Sequence, residues 1–278
     1  MVYDDEVLQN LCATLGVAAY QGQALSQLLA RVDLKGKRVL EVGGSNLPRE
    51  LIFDLFDVKE WVSIDIIAEG SYQLLQQSTH YQREGIEPLN KASSLIGTKD
   101  YLILDGAIEF AGGLPTGYFD VILSITSFEH ILALPSALSQ MKRLVEPAGV
   151  IYTYHGPIWS SYCGHHIWVD SEINFNVPDA IPEFGHLLYS PPEMFDLLRK
   201  TFGDRRAEQA VLQIYHQPRV NRLFYEDYLY YFKLAGFSEI EAAPYARREV
   251  QTDLQARLQT LHPGYRVFDA YGMSAFLR

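Results

Sequence analysis

Residues 38–46 read Arg-Val-Leu-Glu-Val-Gly-Gly-Ser-Asn, a short β-branched run that stops at a pair of glycines. Leu47-Pro48-Arg49-Glu50 follows and opens an apolar helical stretch to Phe56, with proline where a first helical turn tolerates it. The order is strand, glycine turn, helix. Working downstream, Trp61-Val-Ser-Ile-Asp65 is a second apolar run that ends in an acid, and Tyr101-Leu-Ile-Leu-Asp105 repeats the pattern before Gly106-Ala107. Phe119-Asp-Val-Ile-Leu-Ser124 runs into Ile125-Thr-Ser-Phe-Glu-His130, a helical stretch spans Pro135 to Val145, and Glu146-Pro-Ala-Gly149 leads to a strand at Val150–Tyr154. Strands alternating with helical segments at this spacing predict βαβ units and a parallel sheet.

Upstream, apolar residues from Val7 to Val32 recur at helical spacing and predict one or two leading helices. Residues 156–190, rich in Gly, Pro, His and aromatics, break the rhythm with no sustained period. Helices are expected again at 192–202, 208–215 and 224–235, a strand at 236–241, a helix at 250–261 and a last strand at 273–277. No repeat or linker divides the chain. The expected organisation is one structural domain: an N-terminal helical segment (1–35), a ligand-binding core (36–155), an acceptor-side insertion (156–235) and a C-terminal completion of the sheet (236–278).

With 278 residues, 48% of them hydrophobic, the chain can fill a full core. A net charge of −11 opposes a phosphate backbone, so nucleic acid is a poor partner. Cys12 and Cys163 form neither a disulfide framework nor a metal knuckle, which suits a reducing compartment. The acidic N-terminus lacks the basic stretch of a secretory signal, and no apolar run reaches the length of a membrane span, so a cytoplasmic protein without a membrane partner is expected.

The chemistry lies in an ordered set at the carboxyl ends of successive strands, where ligands of open α/β sheets bind. Gly43 and Gly44 allow close backbone approach, and Asp65, 22 positions after Gly43, can accept hydrogen bonds from ribose hydroxyls. Taken singly, the glycines could only make a turn, and Asp65 and Asp105 could only cap helices. Their joint order reads as a nucleoside site. A dinucleotide is disfavoured because Gly43-Gly-Ser-Asn-Leu-Pro48 lacks the third glycine of G-x-G-x-x-G, and no Walker sequence is present.

Val39-Leu-Glu-Val-Gly43, Ser63-Ile-Asp65, Leu104-Asp-Gly-Ala107, Phe119–Ser124 with Phe128-Glu-His130, and Arg143-Leu-Val-Glu-Pro-Ala-Gly149 together make the chain resemble the class I S-adenosylmethionine-dependent methyltransferases. The resemblance implies an α/β, Rossmann-like, doubly wound sheet of seven strands with the last antiparallel. It implies S-adenosyl-L-methionine as cofactor, with S-adenosyl-L-homocysteine as product. Glu41 and the Gly43, Gly44, Ser45 turn would surround the methionine end, Asp65 the ribose, and Asp105, Gly106 and Ala107 the adenine, with Ser124 at the end of the fourth strand completing the site. The family's first motif reads E-x-G-x-G; here Ser45 replaces its second glycine, and Gly44 stands between.

For a hydroxyl acceptor, methyl transfer needs alignment and a base. His155, His165 and His166 follow the fifth strand, and His165 or His166 is expected as base, oriented by Glu172 or Glu183. Some of these imidazoles could instead serve the insertion's own hydrogen bonding. Glu129-His130 reads more as a helix cap than as chemistry. A metal held by the histidines is an option the spacing does not favour. The aromatics after residue 150 suit either an apolar acceptor wall or an ordinary helical cover. The fit is best to small-molecule O-methyltransferases of bacterial natural-product biosynthesis, with a carrier protein presenting the acceptor and a homodimer as further options. N- or C-methylation, a non-catalytic cofactor-binding subunit and a nicotinamide-dependent dehydrogenase are the alternatives.

Overall fold

In the computed structural model, residues 5–44, 47–67 and 83–278 are described. Eight strands form one sheet: β1 (Arg38–Val42), β2 (Glu60–Asp65), β3 (Glu87–Pro88), β4 (Tyr101–Asp105), β5 (Phe119–Ile125), β6 (Val145–His155), β7 (Ile240–Tyr245) and β8 (Gly272–Leu277). Their order is β3-β4-β2-β1-β5-β6-β8-β7. Strands β1 to β6 pair in parallel, and β8 runs antiparallel between β6 and β7. The sheet is Rossmann-like and doubly wound, as expected. It has one strand more than seven because Glu87–Pro88 adds an edge to β4, and two residues carry no periodic signal.

Alternation of side chains sorts each strand between two apolar layers. Leu40, Val62, Leu102 and Ile122 face the helices Leu134–Leu144 and Tyr225–Leu234, through Leu138, Met141, Tyr228 and Phe232. Val39, Trp61, Ile103 and Val121 face the leading helices α1 (Asp5–Thr14) and α2 (Ala19–Leu29), through Leu8, Leu25 and Leu28. Both faces are thus covered, as an all-parallel sheet centre requires. The Leu134–Leu144 helix shows how sequence dictates this: Pro135 sits in its first turn, and Leu134, Ala137, Leu138, Met141 and Leu144 fall at i, i+3, i+4 spacing on its buried side.

Residues after β6 build a small core of their own, in which Ile167, Ile173 and Ile181 pack on Met194, Leu198, Ala207 and Ile214. This places the insertion over the carboxyl end of β6, beside the strand ends described next. None of the described helices is long and apolar enough to cross a membrane.

Candidate active site

β1 lies between β2 and β5, so the chain leaves it in opposite directions and opens a crevice at the strand ends. A cavity of about 430 Å³ fills this crevice, lined by Gly43, Asp65, Gly106, Ala107, Thr126 and His130 among others. Gly43 and Gly44 both take positive φ, 76° and 94°. At Gly43 the need for glycine is double, since a Cβ there would fall 2.0 Å from Ser127 Oγ. The neighbour that excludes a side chain is therefore Ser127, not only a ligand.

Asp65 ends β2 at the rim of this cavity. Its Oδ2 accepts from Gly44 N–H at 3.0 Å and its Oδ1 from Ile66 N–H at 2.8 Å. Burial pushes its carboxyl up, against the two N–H donors that favour the charged form. A carboxylate has about four lone-pair sites, so hydroxyl donors can still be accepted. Asp105 ends β4 opposite Asp65 in register and accepts Ile67 N–H at 2.8 Å. It fixes the chain leaving β2, while the next two residues, Gly106 and Ala107, line the cavity.

Two of the expected cofactor residues point elsewhere. Glu41 is buried with its carboxylate on Trp61 Nε1–H (3.1 Å) and Ser63 Oγ, because register sets Glu41 beside Ser63 on the face toward the leading helices. Ser124 is fully buried and donates to the Val42 carbonyl at 2.8 Å, tying β5 to the end of β1. Neither lines the cavity. Ser45 lies outside the described residues.

A second cavity, of about 620 Å³, adjoins the first through shared Thr126 and His130. Its walls include Tyr20, Tyr154, Tyr245, Tyr271, Phe175 and His166, and none of its lining among the described residues is Lys or Arg. Three residues on its walls, Thr126, His166 and Ala246, hold φ values of 49°, 48° and 47°. Such backbone strain in non-glycine residues persists only where surrounding structure imposes it, and it concentrates at functional sites.

Glu129 enters this second cavity from the short 3₁₀ turn Phe128–His130 that follows β5. It is 2% exposed, its Oε1 accepts Gly156 N–H at 3.2 Å, and its Oε2 has no partner among the described residues. Desolvation pushes its carboxyl up to about 7, with His130 and backbone N–H groups opposing. A buried acid poised near neutrality on the wall of a cavity suits proton transfer. His130 Nδ1–H donates to Arg219 O at 2.8 Å, because a carbonyl can only accept.

The histidines expected as base divide. His166 lines the acceptor cavity, donating Nε2–H to Pro157 O at 2.6 Å, with its ring 5.0 Å from that of His130. Burial pushes it down to about 3, so it stays neutral and is a weak base. His165 lines a third cavity instead. His155 lines none of the three cavities. It is fully buried between Phe128 and Tyr228, its Nδ1 2.9 Å from Thr153 Oγ1. Glu172 is exposed on Arg206 at 2.8 Å, and Glu183 is paired with Arg248 at 2.7 Å, so neither orients a base in the acceptor cavity. Among the described residues no group of three or more His, Cys, Asp or Glu side chains is placed to hold a metal ion.

The residue that sequence reasoning assigned to capping, Glu129, thus lines the second cavity. Its signal was present: Glu129 follows an apolar strand at the carboxyl edge of a parallel sheet, where side chains face ligands rather than helix ends.

A family model described as a methyltransferase domain matches residues 70–153. Among solved structures, an S-adenosylmethionine-dependent methyltransferase from Mesorhizobium loti superposes with a TM-score of 0.50 at 12% identity, covering 95% of this chain and all of that one. A candidate S-adenosylmethionine-dependent methyltransferase from Listeria monocytogenes gives 0.52 at 14%, with 95% and 99% covered. Phosphoethanolamine N-methyltransferase 2 of Haemonchus contortus, solved with S-adenosyl-L-methionine, gives 0.50 at 14%, covering 99% of this chain and 56% of that one. Comparison with curated proteins finds no match. Residues 70–153 thus resemble a methyltransferase domain, and the chain shares the fold of the S-adenosylmethionine-dependent methyltransferases.

Proposed function

We propose that this chain, which shares that fold, transfers the methyl group of S-adenosylmethionine to a hydroxyl of a small aromatic molecule, with Glu129 as the base. The observation that carries the reading is the pair of adjoining cavities: one holds the glycine turn and Asp65, the other Glu129, and Thr126 and His130 stand between them. The first fits the cofactor, since positive φ at Gly43 and Gly44 keeps the turn free of side chains while Asp65 offers its oxygens to ribose hydroxyls. Ile64, Ile108 and Ile131 add an apolar wall for a base ring.

When bound there, S-adenosylmethionine supplies an electrophilic methyl group. The chain's own task is to seat the acceptor and take its proton. Tyr154 and Tyr245, stacked at 4.1 Å, and Phe175 give flat apolar walls for a ring. Glu129, on the wall of this cavity, receives the hydroxyl proton, and the absence of Lys and Arg from the described lining selects against phosphorylated or carboxylated acceptors. His166, neutral with its proton on Nε2, can accept a hydrogen bond at Nδ1 but is a weak base.

Calorimetric titration with S-adenosylmethionine, S-adenosylhomocysteine and NAD, in the wild type and Asp65→Ala, tests the cofactor site. Micromolar binding of the first two, weakened in the variant, is expected; binding of NAD alone, or of none, overturns it. A panel of phenols and amines then assigns the acceptor atom, and turnover on amines alone would replace O- by N-methylation.

A further inference from the structure

A third cavity, of about 340 Å³, shares Phe175, Asn176 and Tyr271 with the acceptor cavity as a common wall. Its lining differs in kind. Where the acceptor cavity is aromatic, this one presents His165, Asn174, Asn176, Asp179 and the Glu183–Arg248 pair, with Tyr162 alongside.

His165 is the decisive residue. It is 5% exposed, and its Nδ1 accepts Ile167 N–H at 3.2 Å, which leaves the proton on Nε2. No partner for that Nε2–H is found among the described residues, and it is free to donate to an occupant of the cavity that His165 lines. Asn176, exposed on the common wall, presents its carboxamide without a hydrogen bond among the described residues. The His165 donor, the Asn176 carboxamide and the Asp179 carboxylate thus line one space. Arg248 is neutralised by Glu183 at 2.7 Å and lies over the Tyr162 ring at 4.4 Å, so neither sign of charge is offered a free counter-charge by this pair.

Resting on the methyltransferase reading above, we propose that the acceptor has two parts: an aromatic head in the Glu129 cavity and an uncharged, hydroxyl-rich tail of glycosyl type in the His165 cavity. Hydroxyl groups both donate and accept, so they meet His165 Nε2–H, the Asn176 carboxamide and the Asp179 carboxylate with one chemistry. The Tyr162 and Tyr271 rings flank the same space and can cover the apolar face of a sugar ring.

The test uses four probes with one head: hydroquinone, hydroquinone β-glucoside, 4-hydroxyphenylacetate and tyramine. Each is titrated into the full chain loaded with S-adenosylhomocysteine, by calorimetry and by NMR of the His165 ring. The glucoside should bind at least about tenfold more tightly than hydroquinone, the worth of one or two added hydrogen bonds, and it alone should shift the His165 signals. Asn176→Leu should bring the glucoside to the affinity of hydroquinone. Equal affinity of all four, or tightest binding of tyramine or 4-hydroxyphenylacetate, overturns the proposal. Failure of S-adenosylhomocysteine to bind would instead overturn the methyltransferase reading. Its unchanged affinity in Asn176→Leu reports an intact fold.

Discussion

Glu129 has one oxygen on the Gly156 amide and the other buried without a partner among the described residues, and burial holds its proton until about pH 7. A general base works in its deprotonated form, so turnover should rise with pH through about 7 and level off above it. Glu129→Gln keeps the shape and the amide contact but cannot take a proton. It should lower turnover by about 10²- to 10⁴-fold, the usual worth of a positioned base, with little change in S-adenosylhomocysteine affinity. Steady-state rates from pH 5.5 to 9 on the acceptor found by screening decide this; a variant with wild-type rates and the same pH profile removes Glu129 from the chemistry. The histidines contrast with it, because burial acts on them in the opposite direction. His166 is pushed down to about 3 and remains neutral across that range, so His166→Asn should disturb acceptor affinity more than the pH midpoint.

At the scale of elements, the Phe128–His130 turn is held less by its own backbone than by the segment that leads into the Tyr225–Leu234 helix. Asn221 N–H donates to Glu129 O at 2.8 Å, and its Nδ2 donates to Phe128 O at 2.6 Å and Ile131 O at 3.2 Å. Its Oδ1 accepts from the buried Tyr228 hydroxyl at 3.0 Å, and Arg219 O accepts from His130. Asn221 is thus a positioning residue for both Glu129 and His130. Asn221→Ala strands carbonyls and a buried hydroxyl and should destabilise by about 2–3 kcal/mol. If it positions the base, turnover should fall at least about tenfold in a variant still folded and binding S-adenosylhomocysteine, and the pH midpoint should move. Asn221→Asp, which keeps the acceptor for Tyr228, should recover part of the rate. Loss of stability alone, with rate and midpoint unchanged, would assign Asn221 a purely structural part.

For the whole molecule, the same buried groups set a pH window for stability. Burial pushes His155 and His166 down to about 3 and His186 to about 4, and lowers His165 well below its ordinary value of 6.5. Below pH 6.5 the unfolded chain takes up these protons before the folded one, so stability falls with pH, by about 1.4 kcal/mol per unit for each group. Glu129 acts in the opposite sense. Between 4.5 and about 7 the unfolded chain releases the proton first, so this one group lowers stability as pH rises, by roughly 3 kcal/mol once both states are ionised. The melting temperature should therefore drop from pH 7 to pH 5, and Glu129→Gln should melt higher than wild type at pH 8.5. A flat wild-type profile between pH 5 and 7 contradicts the buried neutral histidines.

Much of the molecule was legible in the chain, because contiguous residues encode it. Apolar runs that end in Gly43-Gly44, Asp65 and Asp105 are local patterns, and their alternation with helical segments leaves a parallel sheet with a crevice at its strand ends. Where side chains go beyond that was decided only by tertiary structure. Register beside Ser63 turns Glu41 away from the crevice. Positive φ at His166 accompanies the parting of two neighbours in sequence, His165 and His166, into separate cavities. Glu129 owes its raised carboxyl to burial, with the amide of Gly156, 27 residues away, on one of its oxygens. Local periodicity records which residues are apolar and how they repeat; desolvation, register and backbone dihedrals at turns belong to contacts distant in sequence, and these made the site.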